Sequence, residues 1–158
     1  MVVIFKFIDK NGYKVVLKFN NESFDLEPKH VLILVQHNRK WLCTVHKERG
    51  IEFPGGKMEQ GESLIEAAIR EVYEETKVVI DDVQPFAHYI VYDDKPFCKV
   101  VFTAKLKSAE PFVKEFETID RLWLEEEELL NHPNLSFYMQ DDGMKKMLQE
   151  VKYIERQW

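Results

Sequence analysis

The chain opens in short apolar runs broken by turn residues. "VVIFKFIDKNGYKVVLKF" carries two such runs around Asn11-Gly12, a strong short-range hairpin signal, and predicts an N-terminal hairpin. "NNESFDLEPKH" has no period and reads as loop. "HVLILVQH" and "KWLCTVH" predict two strands turning at Asn38-Arg39, and "GIEF" a short strand ended by Pro54-Gly55-Gly56. At Ser63 the period lengthens to that of a helix, which should run to about Thr76. Ser63 and Glu66 form a capping box at its start. Ile65, Ala68, Ile69 and Val72 share one face that should bury against a sheet.

Strand patterns return in "FAHYIVY" and "FCKVVFTAKL", separated by "DDKP", and again in "IDRLWL". "EEEELL" reads as a short helix before Pro133. Asp141 to Gln157 reads as a closing helix, with Met144, Met147, Leu148, Val151 and Ile154 at helical spacing as core-facing residues. The sum is a mixed α/β (α+β) chain. It has no repeat, low-complexity tract or Pro/Gly/Ser linker, so residues 1–158 are expected to form one domain.

Composition narrows the function classes. At 45% hydrophobic and 32% charged, the chain is globular rather than disordered. No apolar run approaches the ~20 residues of a membrane span, and Met1 leads straight into a strand pattern, so a cytoplasmic protein is the expectation. Cys43 and Cys98 sit in strand-like runs without metal-ligand spacing and read as buried reduced thiols. A formal net charge of -6 argues against sequence-blind nucleic-acid binding but leaves room for a phosphate-bearing substrate received by a metal or a local basic cluster.

The predicted helix carries an oddity. Glu71, Glu74 and Glu75 are related by i, i+3 and i+4 and share a face beside the apolar one, with Arg70 on the flank. Glu74 and Glu75 lie in the last turn, against the helix dipole. Ala67, one turn before Glu71, leaves room above the acids. Such a cluster is either a solvated acidic face or an oxygen-ligand site for a hard cation, Mg²⁺ or Mn²⁺.

The spacing resembles the Nudix hydrolase signature. Gly56 is followed after five residues by Glu62, after seven more by Arg70-Glu71, then Val72, Glu74-Glu75 and Val78. Lys77 stands where the family has a glycine, at a cap that favours a left-handed backbone; it is expected to alter the helix end and spare the activity. "KHV", "KW", "RGIEFPGGK" and "FETIDRLW" look most like the YtkD-type branch, described both as mutator-type nucleoside triphosphatases and as RNA 5′-pyrophosphohydrolases.

The resemblance implies a Nudix fold, an α/β/α sandwich around a central mixed sheet, here with an added N-terminal hairpin. It implies hydrolysis of a nucleoside diphosphate linked to another group, with water and Mg²⁺ (Mn²⁺ may replace it). The metals would neutralise phosphate charge, lower the pKa of water and clamp the transition state. By the same resemblance, Glu71, Glu74 and Glu75 hold the metals, joined by the carbonyl of Gly55 or Gly56, and one of them, such as Glu71, handles the attacking water. Glu62 and Arg70 match the family's supporting pair, though Glu66 is another partner open to Arg70. Lys57, Arg49 and Gly56 are expected near the phosphates, and Glu117, with Glu115 second, is expected to add a catalytic or metal-binding carboxylate. Glu125 to Glu128 read as the acidic first turn of a helix. His46 is expected to be structural, or at most to line the pocket.

Base recognition is the least legible part. Phe24, Phe53, Tyr89, Phe137 and Tyr138 are candidates to stack on a base, with Phe24 and Phe137 preferred. The expected substrates are nucleoside triphosphates, purine or oxidised guanine, with triphosphorylated RNA 5′ ends as the rival. The basic residues in "HNRK" and "VHKER" could guide an RNA strand. A non-catalytic Nudix-fold binding module is the alternative from another class; the full set of carboxylates speaks against it. Nothing signals a membrane or protein partner.

Overall fold

The computed structural model describes residues 3–20 and 23–155, with side chains to Tyr153. The expected end of the closing helix at Gln157 lies outside the described residues.

A mixed sheet forms the frame. Its strands are β1 (Val3–Ile8), β2 (Lys14–Phe19), β3 (Pro28–His37), β4 (Lys40–His46), β5 (Gly50–Glu52), β6 (Gly55–Lys57), β7 (Val78–Tyr92), β8 (Phe97–Ala109) and β9 (Thr118–Leu124). The order is β1-β2-β7-β8-β3-β4-β5, with β6 on β3 and β9 on β4. β3 and β8 run parallel, and the other pairs antiparallel. The N-terminal hairpin joins the sheet through β2 and β7. Asp9, rather than the Asn-Gly pair alone, closes its loop, its carboxylate accepting the N–H groups of Asn11 and Tyr13.

Alternation along β3 sends residues to opposite faces of the sheet. Val31, Ile33 and Val35 meet Ala67, Ala68 and Val72 of α1 (Leu64–Thr76). Leu32 and Leu34 meet Met144, Met147, Leu148 and Val151 of α3 (Asp142–Glu155) on the other side. That is the α/β/α sandwich. The acidic run forms α2 (Glu126–Leu130), with Glu126, Glu127 and Glu128 in its first turn, favoured by the dipole. Both cysteines are buried and free. No helix among the described residues is long and apolar enough to cross a membrane.

Four expectations need correction. "PGGK" does not simply end a strand: Gly55–Lys57 forms β6 against β3. The closing helix starts at Asp142, and Asp141 caps it by accepting the Met144 N–H. Ile65 and Ile69 are 44% and 40% exposed, whereas Ala67, expected to leave clearance, is fully buried. The packed face is narrow and small-sided, so that α1 lies close to β3 and β6, and its arc includes Glu71 and Glu75. Lastly, Lys77 leaves the helix end unaltered: it adopts the left-handed cap itself, at φ 61 and ψ 25, and donates its N–H to the Tyr73 carbonyl.

Candidate active site

The site grows from the meeting of β6 with α1. The capping box forms as read, the Ser63 hydroxyl accepting from Glu66 N–H and the Glu66 carboxylate from Ser63 N–H. This occupies Glu66 and leaves Arg70 to Glu62. Arg70 Nε and Nη2 donate to the two Glu62 oxygens at 2.7 and 2.9 Å, and Nη2 also donates to the Lys57 carbonyl at 3.0 Å. The fork ties the Glu59–Glu62 loop and β6 to the helix. The Arg70 guanidinium, with the Glu59 N–H, pulls the Glu62 carboxyl down to about 2. Arg70 Nη1 reaches Glu71 at 2.9 Å and Glu74 at 3.2 Å.

Glu71 and Glu75 point from the buried arc into a cleft of about 1180 Å³, above the ~300–1000 Å³ usual for small ligands. Their side chains touch. Burial first, and the adjoining Glu71 second, push the Glu75 carboxyl well above the ordinary carboxylate range. Glu75 also accepts the Gly55 N–H at 3.3 Å. Glu74 lies on the flank with its side chain 57% exposed. Gly56 leaves the Glu71 carboxyl its place: a β-carbon there would sit 2.5 Å from the Glu71 carboxyl carbon and displace it.

A second wall comes from chain far away in sequence. His46, at the end of β4, is buried. Its Nδ1 accepts the backbone N–H groups of Glu48 and Arg49 at 3.1 and 3.0 Å, so the ring proton sits on Nε2. Nε2 donates to Glu117 at 3.0 Å, and this bond first, with the charges around it, lowers the Glu117 pKa. Glu115 turns instead to Lys77, 3.5 Å away. Arg49 lines the cleft but is forked onto Glu52 at 2.9 and 3.0 Å. Lys57 lines it as an exposed cation.

The structure thus brings Glu71, Glu74, Glu75, Gly55, Gly56, Lys57, Arg49 and Glu117 to one cleft, with Glu62 and Arg70 beneath. It does not do so for Phe24 or Phe137. Phe24 packs edge-on against His88, 4.7 Å between ring centres, and Phe137 is turned outward. The aromatic arm of the cleft is built from Phe7, Tyr89, Phe97 and Met144, under the hairpin and α3. Phe7 and Phe97 had no sequence signal beyond alternation. Of the two basic turns, His46 and Arg49 of "VHKER" border the cleft, and "HNRK" does not.

Among the described residues no three His, Cys, Asp or Glu side chains converge as a closed cation cage. The donor set still fits a hard divalent ion: two touching carboxylates, a flanking third and the Gly55 backbone, all oxygen ligands, in a cradle that one methyl group on Gly56 would fill.

The Nudix domain model matches residues 19–149. YtkD of Bacillus subtilis (strain 168), named provisionally as an 8-oxo-dGTP diphosphatase, is 34% identical over 152 residues, 94% of this chain and 96% of that protein. The crystal structure of the B. subtilis pyrophosphohydrolase BsRppH superposes with a TM-score of 0.85 at 34% identity, covering 94% of this chain and 96% of that one. A Nudix hydrolase from Nitrosomonas europaea shares the fold at a TM-score of 0.67 and 20% identity, over 80% of this chain and 90% of that one. With a family match across most of its length, the chain belongs to the Nudix family, as a hydrolase of phosphoanhydride bonds.

Proposed function

We propose that the protein is a Mg²⁺-dependent pyrophosphohydrolase of nucleoside 5′-triphosphates, working in the cytoplasm, with purine and oxidised guanine nucleotides as its preferred substrates. The observation that carries the reading is the Glu71–Glu75 pair. Two carboxylates forced together at a cleft floor, one of them with its pKa raised by burial and by its neighbour, are poorly suited to holding a fold and well suited to holding a metal. Glu71, Glu74 and Glu75, with the Gly55 carbonyl, would hold Mg²⁺. A bound Mg²⁺ supplies charge neutralisation on the phosphates and a more acidic water. Arg70 keeps Glu71 and Glu74 aligned, and Lys57 with the Gly56 backbone faces the phosphate chain. Glu117, held ionised by His46, orients water from the opposite wall. The aromatic arm takes the base: Phe7, Tyr89 and Phe97 offer ring faces, and Asp141 offers a carboxyl whose pKa burial has raised, a polar group suited to a base edge.

A second reading, removal of pyrophosphate from triphosphorylated RNA 5′ ends, uses the same floor. It is favoured by the size of the cleft and by the basic turn after β4 on its border. The test is kcat/KM on GTP, dGTP, 8-oxo-dGTP and a 5′-triphosphate oligonucleotide with Mg²⁺ or Mn²⁺, with products resolved as pyrophosphate or orthophosphate. Hydrolysis that ignores chelation would sink the metal-site assignment, and a strong RNA preference would sink the free-nucleotide reading.

A further inference from the structure

Among the described residues Phe116 stands apart from every other aromatic. It is 94% exposed yet borders the cleft, so it contributes next to nothing to the core. Its backbone is left-handed, at φ 54. It occupies the first central position of a tight turn closed by the Thr118 N–H on the Glu115 carbonyl at 3.2 Å. A positive φ at that position alone is the type II′ geometry, where glycine is the unstrained residue. Phenylalanine there carries backbone strain and holds a bare ring in water, and neither is repaid within the fold.

The turn is nonetheless firmly held. Glu115 reaches Lys77 at 3.5 Å, Glu117 accepts from His46 at 3.0 Å, and the Glu117 carbonyl accepts the Lys47 N–H at 2.8 Å. The ring is therefore presented from a fixed mount, and both flanking acids already have partners. Lys47 and Arg49, on the neighbouring β4–β5 turn, are close enough for their charges to act on Glu117. An aromatic face with cations beside it, at the mouth of a cleft whose floor suits polyphosphate, is the arrangement that takes single-stranded nucleic acid. A free nucleotide, with its phosphates on the carboxylate floor and its base in the aromatic arm, would have no second base to place at the rim.

We propose that Phe116 is a stacking platform for an unpaired base of an RNA strand whose 5′-triphosphate occupies the cleft, with Lys47 against the adjoining backbone phosphate. The inference rests on the pyrophosphohydrolase reading, in its RNA form, and adds to it a residue that selects the strand. It is tested by kcat/KM on an unstructured 5′-triphosphate oligoribonucleotide and on GTP, for the wild type, Phe116→Ala and Phe116→Trp. The expected result is a loss of about tenfold for Phe116→Ala on the oligonucleotide, the effect of removing one stacked base, with GTP turnover unchanged and Phe116→Trp restoring the RNA rate. A loss shared equally with GTP, or no loss on the oligonucleotide, overturns the platform. A wild type that hydrolyses GTP and spares the oligonucleotide overturns the platform alone. One inert on both overturns the pyrophosphohydrolase reading beneath it.

Discussion

Two carboxylates bound to residues of α1, Glu62 just before the helix and Glu75 in its last turn, are placed in opposite ways. Glu62 faces a guanidinium fork, with its carboxyl drawn down to about 2. Glu75 faces another carboxylate, with its own pKa driven up by burial and by Glu71. The first pair is satisfied by the chain alone. In the second, Arg70 reaches Glu71 while Glu75 is met by the Gly55 N–H and by Glu71 itself, and a buried carboxyl left so in a folded protein points to a ligand. The contrast separates scaffold from site around one helix, and it can be broken from either side.

The largest effect belongs to the Glu71–Glu75 pair. Glu71→Gln and Glu75→Gln should each lower kcat/KM by at least about a hundredfold, as expected for a lost metal ligand, while the metal-free melting temperature stays level or rises. Next comes the satisfied pair. Arg70→Ala strands Glu62, removes a tie to the Lys57 carbonyl, and should lower the melting temperature by about 5 °C, read by calorimetry in chelator.

The pH dependence sharpens the same contrast, because the two carboxylates act with opposite signs. Glu75, raised above 4.5 in the fold, favours folding fully below pH 4.5, and that contribution is lost as pH rises through its folded value. Glu62 contributes above pH 4.5, and its share is lost as pH falls toward about 2. Melting curves in chelator should therefore show Glu75→Gln gaining on the wild type as pH climbs from 4.5 toward neutrality. Glu62→Gln should stay behind the wild type by a constant margin over that range and converge with it as pH falls from 4.5 toward about 2.

The smallest effect is at the helix end. Lys77→Gly relieves a left-handed residue worth about 1 kcal/mol but forfeits the contact with Glu115. It should stabilise the fold by less than that, with turnover unchanged.

How far these features were legible in the sequence follows from the range of the forces involved. Glu62, Arg70, Glu71, Glu74 and Glu75 are fixed by helical spacing, and the Ser63–Glu66 box by local hydrogen bonding, so both could be read from neighbours along the chain. The buried face of α1 could not. Apolar bulk favours Ile65 and Ile69, but the close approach of β6, made possible by Gly56, selects Ala67 and Ala68 instead and carries Glu71 and Glu75 inward. The bond from His46 to Glu117 spans 71 residues and has no local signature. The aromatic arm joins the hairpin, the β7–β8 end and α3, so its stacking residues emerge with the sheet order, and Phe24 and Phe137 fall outside it.

The most direct test of the Glu71–Glu75 pair is the Mg²⁺-dependent kcat/KM for GTP of Glu75→Gln beside that of the wild type, taken on protein whose melting temperature is recorded in the same buffer. Loss of at least about a hundredfold, in a variant that melts no lower than the wild type in chelator, is the predicted result. Turnover at the wild-type level would show that Glu75 holds neither metal nor substrate, and would contradict the account.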